Sequence, residues 1–153
     1  MQGRSRSIHL SVHIHKDPAA MAERAAHILA AACEEAVAER GVFKIALSGG
    51  QTPIPLFRLL VASDWADRLP WDKMTFFWVD ERCVPPTSPD SNYGHANHLL
   101  FKPLRIPADH IHRIKGENEP GTEAMRYSWV VKEFLPLFNQ MPTFDCIILG
   151  VGE

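Results

Sequence analysis

The segment with the clearest chemical use is Ser48-Gly49-Gly50, which runs on into Gln51-Thr52-Pro53. Two glycines between a strand and a helix let the backbone come close to a ligand. Their converging N–H groups make an anion site that needs little side-chain charge. A phosphate suits such a loop, although the same glycines also serve an ordinary strand-to-helix turn. The loop is not a Walker A motif, since no Gly-Lys-Ser/Thr follows. Ser48 is not on a nucleophile elbow, since Gly-x-Ser-x-Gly is absent. Asp80-Glu81-Arg82 follows an aromatic run, and three charges there need partners if they are buried. The Arg82 guanidinium is suited to bidentate contact with phosphate. Asp80 could orient Arg82 or hydrogen-bond a sugar hydroxyl; a solvated loop start accounts for the triplet equally well. Ser91-Asn92-Tyr93 has favoured helix-capping residues, and its functional alternative places Asn92 toward the same pocket as the Asp80 loop.

Other residue types narrow the chemistry further. Eight histidines invite a metal hypothesis. His13 and His15 share a strand face, as do His110 and His112 if that segment is a strand, and His95 and His98 lie three apart on a predicted helix. No cysteine joins them at zinc-ligand spacing and no His-Glu-x-x-His is present, so no metal is expected. Of the three cysteines, Cys33 and Cys146 read as small core residues and Cys83 falls in a loop. The odd count without a Cys-x-x-Cys pair argues against a disulfide scaffold and for a reducing cytoplasm. Arg4 and Arg6 precede no apolar run, so a secretory signal does not fit. The apolar runs are too short to span a bilayer. With 16 basic and 18 acidic residues the formal net charge is −2. Nothing in that balance draws the chain to nucleic acid or a membrane surface, and any anion binding must be local.

The elements that would position these residues follow from periodicity. The 153 residues suit one domain, and 46% hydrophobic residues with 22% charged is an ordinary globular balance. Ile8, Leu10, Val12 and Ile14 alternate with polar residues, which predicts a strand at a sheet edge. Asp17-Pro18 supplies a cap and a first-turn proline for an alanine-rich helix to Arg40, and Gly41 suits its C-terminal stop. Phe43–Leu47 reads as a short buried strand, a second helix starts near Pro53, and Met74–Val79 is a third strand buried on both faces. Asp80 to Asp90 carries three prolines and reads as a long loop. A helix is expected from Asn92 to Leu100, a short strand at His110–Ile114, and a helix capped by Thr122 and stopped near Pro136. Phe144–Leu149 is a further buried strand, leading into Gly150-Val151-Gly152-Glu153. As a dinucleotide fingerprint that last run is incomplete, because it lacks a third glycine.

Strands alternating with helices predict an α/β, doubly wound, mostly parallel sheet flanked by helices, Rossmann-like in kind. Ligands in such sheets sit beyond the carboxyl ends of the strands. Three polar or glycine-rich segments directly follow strands here: after Leu47, after Val79 and after Leu149. The chain ends in the turn after a strand expected to be central. A single domain over 1–153 is therefore expected to be the N-terminal part of a longer one, incomplete at the C-terminus.

Taken in order, Ala46-Leu47-Ser48-Gly49-Gly50-Gln51-Thr52-Pro53, Trp78-Val79-Asp80-Glu81-Arg82-Cys83-Val84-Pro85, Asp90-Ser91-Asn92-Tyr93 and Ile148-Leu149-Gly150-Val151-Gly152-Glu153 resemble 6-phosphogluconolactonases. These belong to a wider superfamily with the glucosamine-6-phosphate isomerases/deaminases. The deaminases carry segments similar to Thr-Gly-Ser-Thr-Pro and Asp-Glu-Tyr, so Ser-Gly-Gly-Gln-Thr-Pro and Asp-Glu-Arg favour the lactonase. The resemblance implies hydrolysis of 6-phosphoglucono-δ-lactone to 6-phosphogluconate in the oxidative pentose phosphate pathway, without a cofactor. The cytoplasmic setting follows from the cysteines, and the sequence leaves the oligomeric state open, with a monomer favoured. It implies substrate-binding roles for Ser48, Gly49, Gly50, Thr52, Asp80, Arg82, Asn92, Gly150 and Gly152. In the family the Gly-x-Gly run continues into Asp-Gly-His, whose histidine is the general base. The matching position lies beyond Glu153, so no catalytic histidine is expected within the chain and the chain alone is expected to be inactive. The alternatives are a glucosamine-6-phosphate isomerase/deaminase and a non-catalytic sugar-phosphate-binding module.

Overall fold

A computed structural model of the chain describes residues 10–150. Helix α1, Pro18–Arg40, begins where the Asp17 carboxylate accepts the Ala20 amide and ends at Gly41, whose φ of 75° closes the last turn. It buries a narrow stripe of small residues, Ala22, Ala26, Leu29, Cys33 and Ala36, which lets the helix lie close to the sheet. Strand β1 (Phe43–Leu47) and strand β2 (Met74–Trp78) pair in parallel in continuous register, from Phe43 opposite Met74 to Leu47 opposite Trp78. Between them lie helix α2 (Ile54–Leu60), the single turn α3 (Ser63–Ala66) and a 3₁₀ turn at Trp71–Lys73.

Both strands are covered on both faces, and this explains their unbroken apolar runs. Phe43, Ile45 and Leu47, with Met74, Phe76 and Trp78, pack on one side against α1, α2 and the residues Ala96, Leu100 and Phe101. Ala46 and Phe77 point the other way, against Leu135, Val130, Val131 and Phe144. Helices thus flank a parallel sheet, as the alternation of elements predicts.

After the long loop that follows β2, helix α4 (Asn92–Ala96) widens into a π turn at Asn97–Phe101 and closes as α5 (Lys102–Leu104). Pro103 supplies the reason. It has no amide for the Leu99 carbonyl, and the ladder re-pairs at π spacing ahead of it, with the Lys102 amide donating to the Asn97 carbonyl. Helix α6 (Pro120–Phe134) follows, then a two-stranded hairpin of β3 (Leu137–Phe138) and β4 (Met141–Pro142), and last β5 (Cys146–Ile147), parallel to β1. The sheet order is β2-β1-β5.

Four expectations need correction. The alternating N-terminal segment forms no strand across residues 10–15, and Leu10, Val12 and Ile14 are 89%, 76% and 92% exposed; Ile8 and His9 lie outside the described residues. An alternating segment becomes a strand only if a free edge accepts its backbone. The outer edge of β2 is occupied instead by Ile111, bridged to Phe76, with the His112 amide donating to the Phe76 carbonyl at 2.8 Å. His110–Ile114 therefore contributes a single bridge rather than a strand. Helix α6 is capped not by Thr122 but by Glu119, whose carboxylate accepts the amides of Gly121 and Thr122. Pro120 fits the first helical position, and that fixes the start earlier. Finally, β5 spans only Cys146–Ile147 rather than Phe144–Leu149, and within the described sheet Ile147 and Leu149 are exposed.

Candidate active site

The carboxyl ends of β1, β2 and β5 lie side by side, so the three segments that leave them meet at one end of the sheet. Together they form a cleft of about 400 Å³ lined by Ser48, Gly49, Gly50, Thr52, Val79, Asp80, Arg82, Leu149 and Gly150. Of the nine predicted site residues, seven line this one cleft. Asn92 stands behind it, and Gly152 lies outside the described residues.

The β1 loop supplies the backbone of the site. Gly50 has φ +75°, a conformation that a residue with a side chain adopts only under strain. Among the described residues neither the Gly49 nor the Gly50 amide has a protein acceptor. The Ser48 hydroxyl is buried and also has no partner. It faces Gly150, where an added Cβ would stand 3.9 Å from the Ser48 oxygen. A buried polar group without a partner costs free energy. Two amides and one buried hydroxyl in this cleft thus have no protein acceptor among the described residues.

The β2 loop supplies charge. Asp80 and Arg82 are both exposed and both line the cleft. Among the described residues they form no ion pair with each other, so Asp80 does not hold the guanidinium in place. The residue between them does different work. Glu81 accepts the amides of Asn92 at 2.7 Å and Tyr93 at 2.9 Å, the hydroxyl of Ser91 at 3.2 Å and the amide of Arg82 at 2.8 Å. A carboxylate at the first turn of α4 satisfies free amides there and favours the helix electrostatically. Ser91 adds its own cap to the Gly94 amide. The sequence marks Ser91 as a cap, but the role of Glu81 depends on how the loop folds back ten residues later.

Asn92 is buried and acts as a tie. Its side-chain amide donates to the Asp80 carbonyl at 3.1 Å and packs against Gly49. It thereby joins the β1 and β2 loops, and contacts the cleft only through them. Two apolar lining residues, Val79 and Leu149, carry no sequence signal beyond their places at strand ends. Among the described residues no group of three or more His, Cys, Asp or Glu side chains is placed to hold a metal ion, and no helix is long and apolar enough to cross a membrane.

The chain is similar to known proteins in both sequence and fold. A 6-phosphogluconolactonase of Haemophilus influenzae is 46% identical over 108 residues, which is 71% of this chain and 45% of that protein. A solved structure described as devB protein superposes with a TM-score of 0.77 at 44% identity, covering 86% of this chain and 55% of that one. The 6-phosphogluconolactonase of Trypanosoma brucei gives a TM-score of 0.78 at 25% identity, over 95% of this chain and 61% of that one. The chain spans about half the length of the curated relatives it matches. Residues 16–153 match the family described as glucosamine-6-phosphate isomerases/6-phosphogluconolactonase, and the chain belongs to that family.

Proposed function

We propose that this chain builds the phosphate- and sugar-binding part of a 6-phosphogluconolactonase, which hydrolyses 6-phosphoglucono-δ-lactone to 6-phosphogluconate. The observation that carries the reading is the single cleft lined by Ser48, Gly49, Gly50 and Arg82, in which the buried Ser48 hydroxyl has no partner. Amides and a guanidinium suit a phosphoryl group. Asp80, unpaired with Arg82, is free to accept a sugar hydroxyl, while Val79 and Leu149 pack on the carbon skeleton. The phosphate anchors the substrate far from the carbonyl under attack, and fixed placement lowers the entropic part of the barrier.

Hydrolysis needs a base to take a proton from the attacking water. No histidine lines the cleft among the described residues. In this reading the base is the histidine that the family resemblance sets after the Gly-x-Gly run, and residues 10–150 bind rather than catalyse. The three cysteines are free, in keeping with a reducing, cytoplasmic setting.

Titration calorimetry with 6-phosphogluconate tests the binding role. Wild-type chain is expected to bind, and Arg82→Ala to bind about tenfold or more weakly, as loss of a charge-assisted contact implies. Equal affinity in the two would remove Arg82 from the site. Lactone hydrolysis assayed beside ammonia release from glucosamine 6-phosphate separates the lactonase from the deaminase. Lactone turnover by the 153-residue chain alone would contradict the division between binding and catalysis.

A further inference from the structure

Among the described residues Arg82 has no ion pair, so where its guanidinium points depends on how its loop is held. A second cleft of about 510 Å³ shares Asp80 and Arg82 with the first and is otherwise lined by Cys83, Ile114, Gly116, Glu123 and Tyr127 among others. The Glu81 carboxylate and the Asn92 amide hold the loop from the side of α4. Two further contacts reach its backbone and its root from the side of Gly116 and α6.

The first is at Gly116. A Cβ added there would stand 2.1 Å from the Arg82 carbonyl oxygen, 2.7 Å from the Val84 carbonyl oxygen and 3.2 Å from the Val84 amide nitrogen. The obstacle is rigid backbone rather than the end of a side chain, so any residue larger than glycine must push the Arg82–Val84 segment away. The second is at Tyr127, on α6. Its hydroxyl accepts the Trp78 amide at 2.7 Å and lies 3.2 Å from both the Trp78 and the His112 carbonyl oxygens. It thus completes hydrogen bonding at the end of β2, where the ladder to Ile111 and His112 has stopped, and fixes the point from which the Asp80–Arg82 loop departs. The segment carrying Gly116 is itself held to α6, because the Lys115 amide donates to the buried Glu123 carboxylate at 2.7 Å.

We propose that Gly116 and Tyr127 are positioning residues for Arg82: one sets how closely the loop is backed, the other where it leaves the sheet. Neither lines the first cleft. The proposal rests on the phosphate-binding reading of that cleft.

The test measures affinity for two probes, 6-phosphogluconate and inorganic phosphate, in wild type, Gly116→Ala, Tyr127→Phe, Arg82→Ala and the double variants with Arg82→Ala. The ¹⁵N resonance of the Arg82 guanidinium is followed during each titration. Each single positioning variant is expected to weaken binding by about fivefold to tenfold and to reduce the phosphate-induced shift at Arg82. Adding either change to Arg82→Ala is expected to cost nothing further, because residues that act through one group are not additive. A merely structural role would lower the unfolding temperature while leaving the Arg82 shift intact and the losses additive, and that result overturns the proposal. So does unchanged affinity in Gly116→Ala. If Gly116→Ala does not fold, Tyr127→Phe, which adds no bulk, decides by the same criteria. Binding of phosphate but not of 6-phosphogluconate by wild type would end the sugar reading while the coupling to Arg82 is still read from phosphate. Failure of coupling with both probes bound would end the positioning role alone.

Discussion

The side-chain amide of Asn92 rests against the α-carbon of Gly49, so closely that a Cβ at that glycine would stand 1.8 Å from the Asn92 oxygen. The contact joins the first turn of α4 to the end of β1, and through the Asn92 bond to the Asp80 carbonyl it reaches the end of β2 as well. Its neighbour Gly50 differs in kind: its φ is +75°, and an added Cβ would meet nothing within 4 Å. The two glycines are therefore required for separate reasons, one steric and one conformational. Gly49→Ala is expected to destabilise the fold by about 1–3 kcal/mol through overpacking against Asn92. Gly50→Ala is expected to cost about 1 kcal/mol from the left-handed backbone alone. Chemical denaturation of both variants checks the order. A larger loss at Gly50 than at Gly49 would show that Asn92 moves aside freely.

That contact also shows where sequence reasoning reaches and where it stops. Periodicity and caps are local, so α1 with its Asp17 and Gly41 ends, and β1 and β2 with their apolar runs, could be read from the chain. The three loops at strand ends could be brought together because parallel strands put their carboxyl ends on one side. Choice of partner is not local. Nothing in Leu10, Val12 and Ile14 says that Ile111 already holds the edge of β2. Nothing in Glu81 says that the chain will return at residues 91–93 with free amides. The hairpin of β3 and β4 left a readable mark, Asn139 and Gln140 between apolar pairs, and both adopt positive φ, 49° and 66°.

Glu81 offers a second test of this architecture. Its carboxylate takes two amides and a hydroxyl at the start of α4 in addition to the Arg82 amide. Glu81→Ala should leave these donors without a protein acceptor and cost about 1–2 kcal/mol, the range for loss of a helix cap. Amide hydrogen exchange at Asn92 and Tyr93 should quicken before the rest of the helix is affected. Unchanged exchange at those two amides would mean that water replaces the carboxylate without loss.

Acid stability should depend on Glu123. Its buried carboxylate is held down to about 2, first by the Arg126 guanidinium and then by hydrogen bonds from the Lys115 amide and Asn118, against the opposing effect of burial. The folded state thus keeps Glu123 ionised where the unfolded chain, near its ordinary value of 4.5, takes up a proton. The unfolded state binds more protons in that window, so stability is full above about 4.5 and falls as pH drops toward 2. Glu117, also held at about 2 by Arg113, contributes in the same direction. The unfolding midpoint of Glu123→Gln, measured from pH 5 to pH 2, should therefore be lower than wild type at pH 5 and converge with it toward about pH 2. Parallel curves for the two proteins would place the acid sensitivity elsewhere.

Ser48 separates stability from binding. Its hydroxyl is buried, lacks a partner and faces the proposed phosphate cleft, so it burdens the empty fold. Ser48→Ala removes the polar atom with little change of shape. The variant should be as stable as wild type or up to about 1 kcal/mol more stable, since an unpaired group is lost rather than a hydrogen bond. Affinity for 6-phosphogluconate should fall about fivefold to tenfold, because one hydrogen bond to the phosphoryl group disappears. Thermal unfolding and titration calorimetry on the same preparation read both quantities. A destabilised variant with unchanged affinity would give the hydroxyl a structural partner and take it out of the ligand's donor set. Stability gained together with affinity lost is the pattern expected of a group held in place for a ligand at the expense of the fold.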